Sequence, residues 1–151
     1  GCRTPSAFAS INQSVQHQGS TCSGRTPGFW KQTQHFNSWR PSGFYPTTTT
    51  GTGGHTATQF CAVFPNCSVY TGKSLLQVLE AGGGPPNDVG RHIVAALLNA
   101  YAGYTPLSIL SVAKIKEIWS QYASTGYFSP TTGVQWDHGQ IVAYLISTMP
   151  L

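Results

Sequence analysis

Proton transfer and metal coordination both need histidines, carboxylates or thiols gathered in one place. The sequence supplies five histidines, His17, His35, His55, His92 and His138, and four acids, Glu80, Asp88, Glu117 and Asp137. Asp88 and His92 stand four residues apart, so a helix would put them on one face. There they read as two metal ligands, as an acid orienting a base, or as a helix cap beside a hydrogen-bonded histidine, which is the commoner use of that spacing. Asp137-His138 reads as an acid at a helix start, and His55, in a glycine loop, reads as solvated. Glycoside hydrolysis needs two cooperating carboxylates, and three of the four acids here fall near helix ends.

Other catalytic patterns are incomplete. Tyr70-Thr71-Gly72-Lys73-Ser74 resembles the end of a phosphate-binding loop, but that loop needs a glycine five positions before Gly72, where the chain has Cys67. No G-x-S-x-G elbow and no H-E-x-x-H pair occurs. The sequence calls for no cofactor. The enzymatic reading that remains is a small metal-dependent enzyme built on Asp88, His92 and their neighbours.

The four cysteines, Cys2, Cys22, Cys61 and Cys67, contain no C-x-x-C pair, and their spacing is wrong for a zinc ribbon. They allow three disulfide pairings. The economical one is Cys2–Cys22 with Cys61–Cys67, each closing a short segment rich in turn formers. Disulfides imply an oxidising compartment and a secreted, extracellular or cell-surface protein.

The stretch from Thr26 to Trp39 packs Phe29, Trp30, Phe36 and Trp39 around Lys31 and His35. It reads as an aromatic core patch with the Lys31 stem laid along it, which predicts a buried Trp30. The competing reading is an aromatic platform over residues 29–39 for a glycan or a partner, with Trp30, Lys31, His35 and Trp39 as contacts.

These residues need elements to place them, and the sequence predicts a mainly α fold. A single domain over residues 25–151 carries about five helices, preceded by an extended N-terminal arm over residues 1–24. Thr26-Pro27 opens the first helix as N-cap and first helical residue. Pro41 and Gly43 then break the chain, and residues 41–72 form an irregular Thr/Gly-rich insertion with short strands near 57–64. Further helices run from Lys73 to Ala81, from a cap at Asn87 or Asp88 to Gly103, from about Ser111 to Ser124, and from about Asp137 to Thr148. The helix before Gly103 is apolar nearly all round, as a central buried helix is. The front half is loop-rich and stapled by the disulfides. The Thr47–Thr50 run is a candidate for O-linked sugar, and Asn12 and Asn66 match the N-x-S acceptor pattern.

Three strings follow one another: Gly28-Phe29-Trp30-Lys31, then Leu75-Leu76-Gln77-Val78-Leu79, then His92-Ile93-Val94-Ala95-Ala96-Leu97-Leu98-Asn99-Ala100. Their order over about residues 26–103 resembles a module of uncharacterised bacterial secreted and cell-surface proteins. In that module a G-[YF]-W-K-N-H string is followed by LL-x-[IV]-L and an Ala/Leu-rich helix ending in L-N. Gln32-Thr33 stands where the module has Asn-His, with a histidine at His35. The resemblance implies an extracellular bacterial protein and supplies no reaction.

Composition sets the leading function. Only 8% of the 151 residues are charged, against about 25% in an average soluble domain. The net charge of +4 comes from scattered lysines and arginines, not from the clustered stripe that nucleic acid requires. No segment is apolar enough for a membrane span. A retained glycine before Cys2 argues against lipidation of that cysteine. A charge-poor coat suits a subunit that buries its surface, so the expected function is a secreted structural subunit that self-assembles into a filament, sheath or surface layer. Its partner is then itself, and the expected assembly device is the arm, docking on a neighbour through Phe8, Ile11 and Val15. The second expectation is a glycan- or cell-wall-binding module.

Overall fold

The computed structural model describes residues 2–10 and 21–151. Ile11, Asn12, Val15 and His17 lie outside the described residues.

The helix α4 (Asn87–Ala102) runs through the middle of the molecule, and Val89, Gly90 and every residue from Ile93 to Ala100 are buried along it. It packs against α2 (Pro27–Trp30), the 3-10 segment Thr33–Ser42, α3 (Leu75–Glu80), α5 (Val112–Thr125) and α6 (His138–Ser147). Buried side chains from Trp30 to Met149 form one continuous cluster around it. The five expected helices are these, and the mainly α architecture is as the sequence indicated.

Local chemistry sets most of their ends. Thr26, Ser111 and Asp137 cap α2, α5 and α6, accepting from the N–H groups of Phe29, Lys114 and Gln140. Gln140 returns a bond to the Asp137 N–H, and Ser74 and Gln77 form the same reciprocal box at α3. The Gly72-Lys73-Ser74 string that resembled a phosphate loop is therefore a turn leading into a cap. Gly103 and Gly126 end α4 and α5 in the left-handed region, at φ 79° and 85°. At the start of α4 the structure differs from expectation. Pro86 occupies the N-cap without a side-chain bond, and Asn87 and Asp88 lie inside the first turn. Their side chains reach elsewhere: Asn87 accepts from the Tyr70 hydroxyl and donates to the Gly82 carbonyl, and Asp88 accepts from the Val89 N–H.

The front half departs further. The first helix holds four residues, because Gln32 turns extended, and the chain resumes as the 3-10 segment that runs through Pro41 to a left-handed Gly43. Residues 57–64 form no strand. Gln59 makes an isolated antiparallel bridge to Ser74, and Phe60–Ala62 is a 3-10 turn. The other bridges among the described residues, Thr49–His55 and Phe128–Trp136, are equally isolated.

Both disulfides have the expected pairing, Cys2–Cys22 and Cys61–Cys67. The described part of the arm is not extended throughout: Thr4 caps a short helix, α1 (Pro5–Ala9). Its described contacts run to its own chain, while Ile11 and Val15 of the expected docking set lie outside the described residues. Phe8 packs edge-on against Trp136 and Tyr144 of its own chain, with centroids 5.9 and 5.2 Å away. The Tyr144 hydroxyl donates to the Arg3 carbonyl at 2.8 Å. Phe8 thus packs, half-buried, against the core of its own domain. Beyond the disulfide, Ser23 and Gly24 bond the carbonyls of Tyr104 and Thr148. A methyl group on Gly24 would run into that Thr148 carbonyl and the Asn99 amide, so only glycine lets the strands of chain approach this closely.

Candidate functional site

The aromatic segment is mostly interior. Trp30 and Trp39 are 0% and 1% exposed. The Trp30 indole N–H donates to Asn99 Oδ1 at 3.1 Å, and the Trp39 indole N–H donates to the Trp30 carbonyl at 3.1 Å. Asn99 also accepts from the Arg25 N–H at 2.8 Å and donates to the Arg25 carbonyl at 2.9 Å. Every polar atom of this buried knot finds a partner, as a low-dielectric interior demands. The Arg25 guanidinium lies 5.5 Å from the Phe29 ring centre and 4.9 Å from that of Tyr104, which closes the knot with cation–π contacts. This overturns the platform built on Trp30 and Trp39: neither indole reaches solvent. Lys31 is exposed, and His35 stacks on Phe29 at 3.9 Å.

Of its three expected uses the Asp88–His92 pair comes nearest the commoner one: His92 is a hydrogen-bonded histidine, and Asp88 lies in the first turn of α4, one step inside the cap. His92 turns its Nδ1 to the Asp88 backbone carbonyl at 2.7 Å, while the Asp88 carboxylate goes to His138 Nδ1 at 2.6 Å. Asp88 and His92 are therefore not side-chain partners, and among the described residues no group of three or more His, Cys, Asp or Glu side chains is arranged to hold a metal ion. The hydrogen bond to the Asp88 carboxylate raises the His138 imidazole above its ordinary range. Burial lowers that of His92. Burial pushes the nearby Tyr70 hydroxyl up to about 12 and, with help from the Asp88 charge, raises Tyr122. An acid that fixes one imidazole nitrogen leaves the other as a base or ligand. Among the described residues, however, no hydroxyl or thiol bonds His138, so what the pair does here is tie the start of α6 to the start of α4. Sequence reasoning missed His138 as the partner because 50 residues separate it from Asp88.

Two clefts of about 440 Å³ each open on the surface. One lies over α3, between Val69, Tyr70, Lys73, Gln77, Glu80 and Asn87. The other joins the 3-10 segment to the Thr-rich loop: Phe36, Asn37 and Arg40 face Tyr45, Thr47 and His55 across it. His55, expected to be solvated in its glycine loop, is only half-buried but does not stand free. It stacks on Tyr45 with centroids 3.8 Å apart and planes 13° from parallel, and its Nδ1 is buried without a hydrogen-bond partner among the described residues. Of the expected aromatic segment, Phe36, Asn37 and Trp39 line this cleft, and Arg40 follows directly.

No protein-family model matches the chain, and neither a curated protein nor a solved structure matches it.

Proposed function

We propose that the protein is an extracellular structural subunit that packs against copies of itself in a filament, sheath or surface layer. The observation that carries this reading is the poverty of surface charge. The chain has 8 basic and 4 acidic side chains in 151 residues. The ion pairs among the described residues are Lys114–Glu117 and Asp88–His138. Charge keeps monomers apart and desolvates at a cost, so a surface with little of it is cheap to bury against another copy. Val69, Leu107, Ile146 and Leu151 add apolar side chains that are at least half exposed. The two disulfides support an oxidising compartment. The resemblance of residues 26–103 to secreted and cell-surface bacterial proteins points the same way. No helix among the described residues is long and apolar enough to cross a membrane.

Sedimentation and negative-stain microscopy of the oxidised protein test the reading. Self-association is expected to persist at about 1 M salt, where the screening length is about 3 Å, because charge does not drive it. Glutamate at Val69, Leu107 or Ile146 is expected to weaken it. A monodisperse monomer at millimolar concentration would sink the proposal.

A further inference from the structure

We infer that the cleft between the 3-10 segment and the Thr-rich loop binds a saccharide carrying a carboxylate, a uronic acid unit. Three features of the cleft carry the inference, and it stands apart from the assembly reading. The first is shape: about 440 Å³ of concave space lies within the range of small-ligand sites.

The second is an aromatic wall with an open side. His55 covers one face of Tyr45 at 3.8 Å, yet Tyr45 remains 46% exposed. The exposure must come from its other face and its edge. Phe36, half-buried, lies on the same cleft. The C–H face of a pyranose ring carries partial positive charge and packs on such a ring.

The third is the polar set. The His55 imidazole lines the cleft and offers a ring edge to a sugar hydroxyl. The Asn37 amide and the Thr47 hydroxyl supply further hydrogen-bonding groups suited to hydroxyls. Arg40 is the charged residue of the lining; it is exposed, forms no ion pair among the described residues, and faces no acid across the cleft. A guanidinium takes a carboxylate through two parallel bonds. One cation matches one carboxylate, whereas a nucleic acid would need the basic stripe this chain lacks.

Isothermal titration of the oxidised full-length chain with trigalacturonate and with neutral cellotriose tests the assignment. Trigalacturonate is expected to bind at least about tenfold more tightly than cellotriose. Arg40→Gln is expected to bring the acidic sugar down to the neutral one. Tyr45→Ala is expected to weaken both. Both side chains are exposed, and retention of the near-ultraviolet dichroism signal checks that each variant is folded; Arg40→Gln alone decides if Tyr45→Ala is not. The assignment is overturned by no binding of either sugar up to about 10 mM, by equal affinities for the two, by binding indifferent to Arg40→Gln, or by tighter binding of uridine monophosphate.

Discussion

The indole N–H of Trp30 and the side-chain carbonyl of Asn99, 69 residues apart, meet at 3.1 Å with both residues 0% exposed. The bond joins the front of the chain to its central helix. Arg25 completes it by giving Asn99 a backbone donor and a backbone acceptor. Removing different members of this knot should therefore cost different amounts. Trp30→Phe removes one donor while Asn99 Oδ1 keeps the Arg25 N–H, a loss of about 1 kcal/mol. Asn99→Ala leaves the buried Trp30 donor and two part-buried Arg25 backbone groups without their partner, which should cost about 2–3 kcal/mol. Trp30→Ala adds a cavity and should cost about 3–5 kcal/mol. Urea midpoints of the three variants check the ranking. Equal effects would mean that the bond is incidental to the packing.

The two disulfides should reduce in order. Cys2 and Cys22 are buried, whereas Cys61 is exposed and Cys67 half-exposed. A thiolate must reach a sulfur to exchange with it. Cys61–Cys67 is expected to open first under mild native reduction, read by alkylation and mass mapping. Its loss should also cost less. Chain-entropy estimates for loops of 6 and 20 residues are about 2 and about 3 kcal/mol. Free thiols before reduction would remove the argument for an oxidising compartment.

Stability should respond to pH through two histidines of opposite sign. The Asp88 carboxylate raises the folded-state value of His138 above the ordinary 6.5. Its contribution is thus fully present below pH 6.5 and is lost as pH rises through the folded value. Burial lowers His92. Protonation there favours unfolding, so its effect is a loss of stability as pH falls below 6.5. His138→Gln should abolish the loss on the alkaline side and leave the acid side unchanged. Denaturation midpoints between about pH 5 and pH 9 measure both arms, and the imidazole resonances locate each titration. An unshifted His138 resonance would show that the Asp88 contact does not hold in solution.

The helices were legible because their signals are local. Thr26, Ser111, Asp137, Gly103 and Gly126 each act within one turn of where they sit. The short strands expected near 57–64 were not there: Gln59 makes only a single bridge to Ser74, the chain then turns into the 3-10 segment Phe60–Ala62, and Cys61–Cys67 closes the loop that follows. The candidate site was legible only in part. The burial of Trp30 was expected from the aromatic patch and is found, but its partner, the Asn99 amide 69 residues away in α4, left no mark in the local sequence. The i,i+4 spacing of Asp88 and His92 left their pairing open, and it carried no sign that the Asp88 carboxylate goes to His138, 50 residues away. The Thr49–His55 bridge is local and its turn is marked by Gly51 and Gly53 at positive φ; what carried no local mark is the placement of that loop against Phe36 to Arg40, which forms the cleft.

Phe8 separates folding from assembly. Among the described residues its ring meets Trp136 and Tyr144 of the same chain, and the Tyr144 hydroxyl holds the neighbouring Arg3 carbonyl. Each edge-to-face pair is worth about 0.5–1.5 kcal/mol beyond the area it buries. Phe8→Ala is therefore expected to lower stability by about 2–3 kcal/mol, in the lower range for phenylalanine truncation because the ring is only partly buried. The substitution leaves the exposed side chains at Val69, Leu107 and Ile146 untouched. Self-association should then begin at the same protein concentration as in the unmodified chain, so long as measurements stay well below the unfolding midpoint. A variant of unchanged stability that no longer associates would return Phe8 to an intermolecular role and contradict the packing seen here. Comparing the urea midpoint with the concentration dependence of sedimentation, on the same preparation, decides between the two.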